Sequence, residues 1–189
     1  SNAYEDFASA PAPVGVIEAL SGYYPYRIAQ GGQPVKGNVP VADVIRPLAE
    51  QIGYVFTNQG VTTQIRNTVL NGSPMEKILA AANQVGIEIL VDDNEIIIMP
   101  PGAARNGNAV VLNKDSGMLG YPTFNSDGIV VRSLYNPAYQ YGGLIEVQSV
   151  VPRASGVWKI TKLTHDLSAY SSKSGAWAST IEASYLQES

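Results

Sequence analysis

The 189-residue chain is 45% hydrophobic and 15% charged, with a net charge of -4, which gives it enough apolar mass for a sizeable core and argues against disorder. It has no cysteine and a single histidine, which excludes disulfide scaffolds, thiolate catalysis and most metal sites. No apolar run reaches the roughly 20 residues of a membrane-spanning helix, the N-terminus has no basic and hydrophobic signal pattern, and no Lys/Arg stripe suits sequence-specific nucleic-acid binding.

Ser1-Asn2-Ala3 has the character of a cleaved-tag scar and is set aside from the fold. Residues 14–37 read as a strand, Val14 to Leu20, followed by a loop with the aromatic run Tyr23-Tyr24-Pro25-Tyr26. This segment is expected to pair with a C-terminal sheet. Residues 38–100 form an α/β unit that repeats a helix and a strand. Ile45, Leu48, Ala49 and Ile52 make a one-sided helical stripe ending at Gly53 and a strand from Tyr54; Ile78, Ala81, Ala82 and Val85 repeat it before Gly86 and a strand over Ile87 to Val91. Corresponding positions lie 33 apart, as from Gly53 to Gly86.

Pro47 cannot return an N–H to the carbonyl of Asp43, so the first helix is expected to kink or to start near Asp43. Ser73, Pro74 and Glu76 predict a capped start for the second. Asp92-Asp93-Asn94 suits a tight hairpin into Glu95 to Met99. Residues 101–117, rich in Gly, Ala, Asn and Ser, read as a linker. Over 118–189 the runs Gly128 to Leu134, Gly143 to Val151, Val157 to Leu167 and Trp177 to Leu186 predict an antiparallel, barrel-like β domain. The fold class is therefore α+β, a two-helix α/β domain followed by a β domain. Trp158, Trp177 and Ile181 are its expected core anchors.

The residues offer little chemistry. His165 adjoins Asp166 on a strand, where neighbours face opposite ways, and no Gly-x-Ser-x-Gly turn supplies a nucleophile, so a structural hydrogen-bonding role is favoured over a triad. Asp92, Asp93 and Glu95 lack the spaced oxygen ligands of a calcium loop and read as a solvated turn. Loop tyrosines, among them Tyr135, Tyr139 and Tyr141, either pack loops or form an oligomer or partner interface. The charge is uneven: residues 1–100 carry 5 basic and 10 acidic side chains, and the rest 7 and 6.

Gly117-Met118-Leu119-Gly120-Tyr121-Pro122-Thr123-Phe124, the run from Gly128 through Arg132 to Pro137, and Gly142-Gly143-Leu144-Ile145-Glu146-Val147 together resemble the C-terminal part of bacteriophage baseplate hub proteins. Gly156-Val157-Trp158-Lys159-Ile160, Leu163-Thr164-His165-Asp166-Leu167 and Gly175-Ala176-Trp177 are similar to that family's closing strands, and Asn71-Gly72-Ser73-Pro74 to its middle region. The resemblance is to hubs of contractile-tail phages and prophages, similar to late control protein D. It implies a non-enzymatic structural protein of the virion tail baseplate, without cofactor or metal, made in the bacterial host cytoplasm. It further implies trimers that join the tail tube to the central spike, and a chain that starts after the family's first barrel domain. Two other readings stay open: a ring-forming envelope or secretion-channel module, suggested by the helix-strand repeat, and a carbohydrate-binding adhesion module using Tyr139 and Tyr141. An enzyme centred on His165 comes third.

Overall fold

The computed structural model describes residues 2–6, 14–18, 30–168 and 177–186. The fold is α+β. Strands β1 (Asn2–Asp6) and β2 (Val14–Glu18) pair antiparallel with each other and with no other described strand. The expected pairing of this segment with the C-terminal sheet is thus corrected: a hairpin across a short connection costs far less chain entropy than a contact with strands at the other end of the chain. Asn2 and Ala3, set aside as scar, belong to β1. Ala19, Leu20 and the Tyr23 to Tyr26 run lie outside the described residues.

The α/β module runs β3 (Gln30–Pro40), α1 (Val41–Gln51), β4 (Val55–Asn58), β5 (Gln64–Gly72), α2 (Pro74–Val85), β6 (Glu88–Asp92) and β7 (Glu95–Met99). Each helix therefore stands between two strands, and the module begins at residue 30 rather than 38. Strands β3 and β5 pair antiparallel; β7 sits between β4, to which it is parallel, and β6, to which it is antiparallel. The two strand-helix-strand units consequently run in opposite senses, with β7 wedged between their last strands.

Helix α1 starts at Val41, whose N–H donates to the Thr63 carbonyl at 3.0 Å, and continues past Pro47 to Gln51. Pro47 is exposed, so the carbonyl of Asp43 that loses its helical donor lies on the wet side of the helix. Helix α2 has a complete capping box. Glu76 N–H donates to Ser73 Oγ at 3.3 Å, while Ser73 N–H donates to Glu76 Oε2 at 2.7 Å. These donors, the Ser73 backbone N–H first and its hydroxyl second, hold the Glu76 carboxyl below the usual carboxylate range. Gly86 ends the helix in the left-handed conformation, at φ 70°.

The core of this module joins Ile45, Leu48 and Ala49 of α1 to Ile78, Ala81 and Ala82 of α2 over Ile96 and Ile98 of β7. Period-2 alternation then sends Ile97 and Met99 to the opposite face, where they cluster with Leu90 and Ala103. An apolar run buried on both faces marks β7 as a central strand.

The second module is a six-stranded sheet in the order β8 (Val110–Leu112), β11 (Leu144–Val147), β12 (Gly156–Leu167), β13 (Trp177–Tyr185), β10 (Gly128–Leu134), β9 (Thr123–Phe124). All pairs are antiparallel except β8 with β11. The expected barrel is corrected to an open, mixed sheet, with β8 and β9 at its two edges. Between them the chain crosses from one edge to the other, and Leu134 N–H donates to Gly117 carbonyl at 2.8 Å while Leu119 N–H donates to Arg132 carbonyl at 2.8 Å. The core holds Leu112, Ile129, Val131, Ile145, Trp158, Ile160 and Ile181.

The expected linker over 101–117 contains strand β8 and is fastened along its length, so it is not a free tether. Gly102 N–H donates to Glu88 Oε1 at 2.7 Å, and Arg105 N–H donates to the Gly142 carbonyl at 2.7 Å.

Candidate interaction surfaces

The residues singled out from the sequence separate into core and surface. Trp158 is 1% exposed; its Nε1–H donates to the Ala154 carbonyl at 3.0 Å and its ring lies 4.0 Å, centroid to centroid, from that of Tyr185. Ile181 is fully buried in the same cluster. Trp177 is not a core anchor: it is 52% exposed. It stands at the end of β13, beyond the core, with Nε1–H donating to the Ser168 carbonyl at 2.7 Å and its ring edge-on to Tyr135 at 5.9 Å.

Tyr139 is only 3% exposed and packs in the core, so its side chain is excluded from an interface or a glycan platform. The turn that carries it inward is held by Tyr139 N–H on the Asn136 carbonyl at 3.2 Å and by Ala138 N–H on Asn136 Oδ1 at 2.9 Å. Tyr135 is partly buried and Tyr141 is exposed. His165 shares a hydrogen bond of 2.8 Å between Nδ1 and Ser179 Oγ, and its ring meets Tyr135 edge-on at 5.0 Å. Ser179 is fully buried, so its hydroxyl is closed to substrate.

The carboxylates at the β6–β7 turn have a structural partner. Asp93 and Asn94 take positive φ values of 43° and 63°, the backbone of a tight hairpin turn. Arg105 bridges Asp92 and Glu95, and Glu95 also accepts from Thr57 Oγ1. Sequence reasoning missed Arg105 because ten to thirteen residues separate it from its partners, inside a run whose composition reads as unstructured. It also missed the ion pair of Lys159 and Glu88, which joins the two modules across 71 positions of sequence. A cleft of about 610 Å³ opens beside this pair, lined by Leu90, Tyr141, Thr161 and Tyr185.

A second concavity, about 790 Å³, lies at the loop end of the β sheet between Met118, Tyr121, Val147 and Val150. Tyr121 and Val150 are 70% and 79% exposed. Large apolar side chains grouped and held this far into water are a feature of interaction surfaces. The same holds at the sheet's other extremity for Leu134, Leu167 and Trp177. Among the described residues no group of three or more His, Asp or Glu side chains is placed to hold a metal, and no helix is long and apolar enough to cross a membrane.

The same fold, an α/β module joined to an open sheet, occurs in phage tail proteins. The chain is similar to the tail protein from Neisseria meningitidis MC58, with a TM-score of 0.58 at 11% identity, over 85% of this chain and 71% of that one. It is also similar to the 43 kDa tail protein of prophage MuSo2 from Shewanella oneidensis, with a TM-score of 0.52 at 10% identity, over 81% and 63% of the two chains. The chain thus spans less than two thirds of the Shewanella protein, and identities this low carry the fold alone. The family described as Baseplate hub gp41 matches residues 28–175. This chain belongs to that family of phage baseplate hubs, and membership implies a structural role and a location in the virion tail. No curated protein matches.

Proposed function

We propose that the chain is a non-enzymatic structural part of a phage or prophage baseplate hub, joining the tail tube to the central spike through a ring of copies, a trimer for the full-length protein, assembled in the host cytoplasm. The observation that carries this reading is the family match over residues 28–175. The geometry supports it in three ways. The sheet is open, with β8 and β9 as its outer strands; a ring needs one surface to meet a different surface on the next copy, and an open sheet has two unlike ends. Apolar side chains stand exposed at both extremities of that sheet. The one histidine is engaged by a buried serine and a tyrosine ring rather than by an orienting carboxylate.

Immunogold labelling of purified tails with an antibody to this chain tests the proposal. Label confined to the baseplate end, with tails lacking spikes when the gene is interrupted, is the expected result. Label along the tube or in the host envelope, with normal spiked tails after interruption, would refute it.

A further inference from the structure

We propose that the Asn106-Gly107 step is a site of spontaneous covalent modification, at which the side-chain amide converts to aspartate or isoaspartate. The chain contains two Asn-Gly steps, Asn71-Gly72 and Asn106-Gly107, and the fold treats them oppositely. Asparagine is among the thermally labile residues. A following glycine exposes it most, because no Cβ shields the attacking nitrogen.

Asn106 and Gly107 are both exposed, in a bend between β7 and β8. The Asn106 backbone N–H is held by Gln59 Oε1 at 3.0 Å. The Asn106 side chain and the Gly107 N–H have no hydrogen-bond partner among the described residues. Nothing lies within 4 Å of the position a Cβ would take on Gly107, so the nitrogen is open to approach. Asn71 and Gly72 sit instead at the end of β5, with Gly72 paired to Gln30 in the ladder. The Glu76 side chain packs against Gly72, with Cβ only 3.2 Å from that position. An extended strand also holds the next nitrogen away from the side-chain carbonyl.

The reaction needs only water. The Gly107 nitrogen attacks Asn106 Cγ, a new C–N bond forms as the Cγ–Nδ2 bond breaks, and ammonia leaves with the Gly107 proton, closing a five-membered imide. Water then opens one of the two imide bonds, giving aspartate or, through the other, isoaspartate. Either product sets a new carboxylate beside Arg105, whose guanidinium already bridges Asp92 and Glu95, in the segment that fastens the two modules. The inference is independent of the hub reading.

The purified full chain is incubated in mildly alkaline buffer and mapped by peptide mass spectrometry. The peptide containing Asn106 is expected to gain one dalton and split into two chromatographic forms, several-fold faster than the peptide containing Asn71. Asn106→Gln abolishes the change, and in denaturant the two steps react at similar rates. An unchanged Asn106 peptide, or equal rates at both steps in the native protein, would overturn the proposal.

Discussion

Lys159, on the β sheet, donates to the carboxylate of Glu88, on the α/β module, across 71 positions of sequence. The Lys159 side chain is nearly buried while Glu88 keeps about a third of its surface in water. This pair, the Arg105 N–H on the Gly142 carbonyl and the contact of Leu90 with Gly142 reach between the two cores.

The coupling is measurable by a double-mutant cycle on Lys159→Met and Glu88→Gln. Solvent at Glu88 screens the pair, so an interaction energy of about 1 kcal/mol is expected, falling as salt is raised. Additive single mutants would show that the two modules are held by other contacts.

Gly142 takes φ 77° and lies so close to Leu90 that a Cβ would overlap the leucine methyls. Gly142→Ala combines left-handed strain with that clash, and a loss of about 1 to 3 kcal/mol is expected in denaturant titration. The companion change Gly60→Ala, also at positive φ but with open space around it, should cost about 1 kcal/mol from strain alone.

The two tryptophans should part company. Trp158→Ala opens a cavity in the β core and removes the ring stacked on Tyr185, for a cost of about 3 to 5 kcal/mol. Trp177→Ala removes a half-exposed ring at the sheet's end, and its cost should be smaller, about 2 to 3 kcal/mol by the usual measure of partly buried area. Equal losses, read from the denaturant midpoint, would contradict the burial of either one.

Ser73→Ala removes the helix cap of α2 and is expected to cost about 1 kcal/mol. The cap also sets a pH dependence. Because the Glu76 carboxyl is depressed in the folded state, its contribution is present above the unfolded carboxylate pKa and is lost as pH falls through the folded value. Thermal unfolding followed from neutral to acid pH should show this loss, and Glu76→Gln should flatten that part of the profile.

The legible parts of the fold were those with local signals. The capped start of α2, its glycine stop at Gly86 and the Asp93-Asn94 turn are each fixed by short-range hydrogen bonds and backbone preference. Strand β3 was hidden because Gly31, Gly32, Pro34 and Gly37 read as loop; two register shifts in its pairing with β5 absorb the three glycines, Pro34 stays in the ladder opposite Val69, and Asn67 Oδ1 accepts from Gly37 N–H at 2.8 Å. Strand β8 is too short to show a pattern and is made by its long-range partner β11. Residue type says that an aromatic ring is used but not which way it faces: the turn at Asn136 selects packing for Tyr139, and the end of β13 leaves Trp177 outside the core expected for it.

The hub reading is tested most directly by the assembly state of the full-length gene product, by light scattering with negative-stain imaging. A trimeric ring with a central opening is expected. A compact monomer that stays monomeric when mixed with the tail's tube and spike proteins would contradict it.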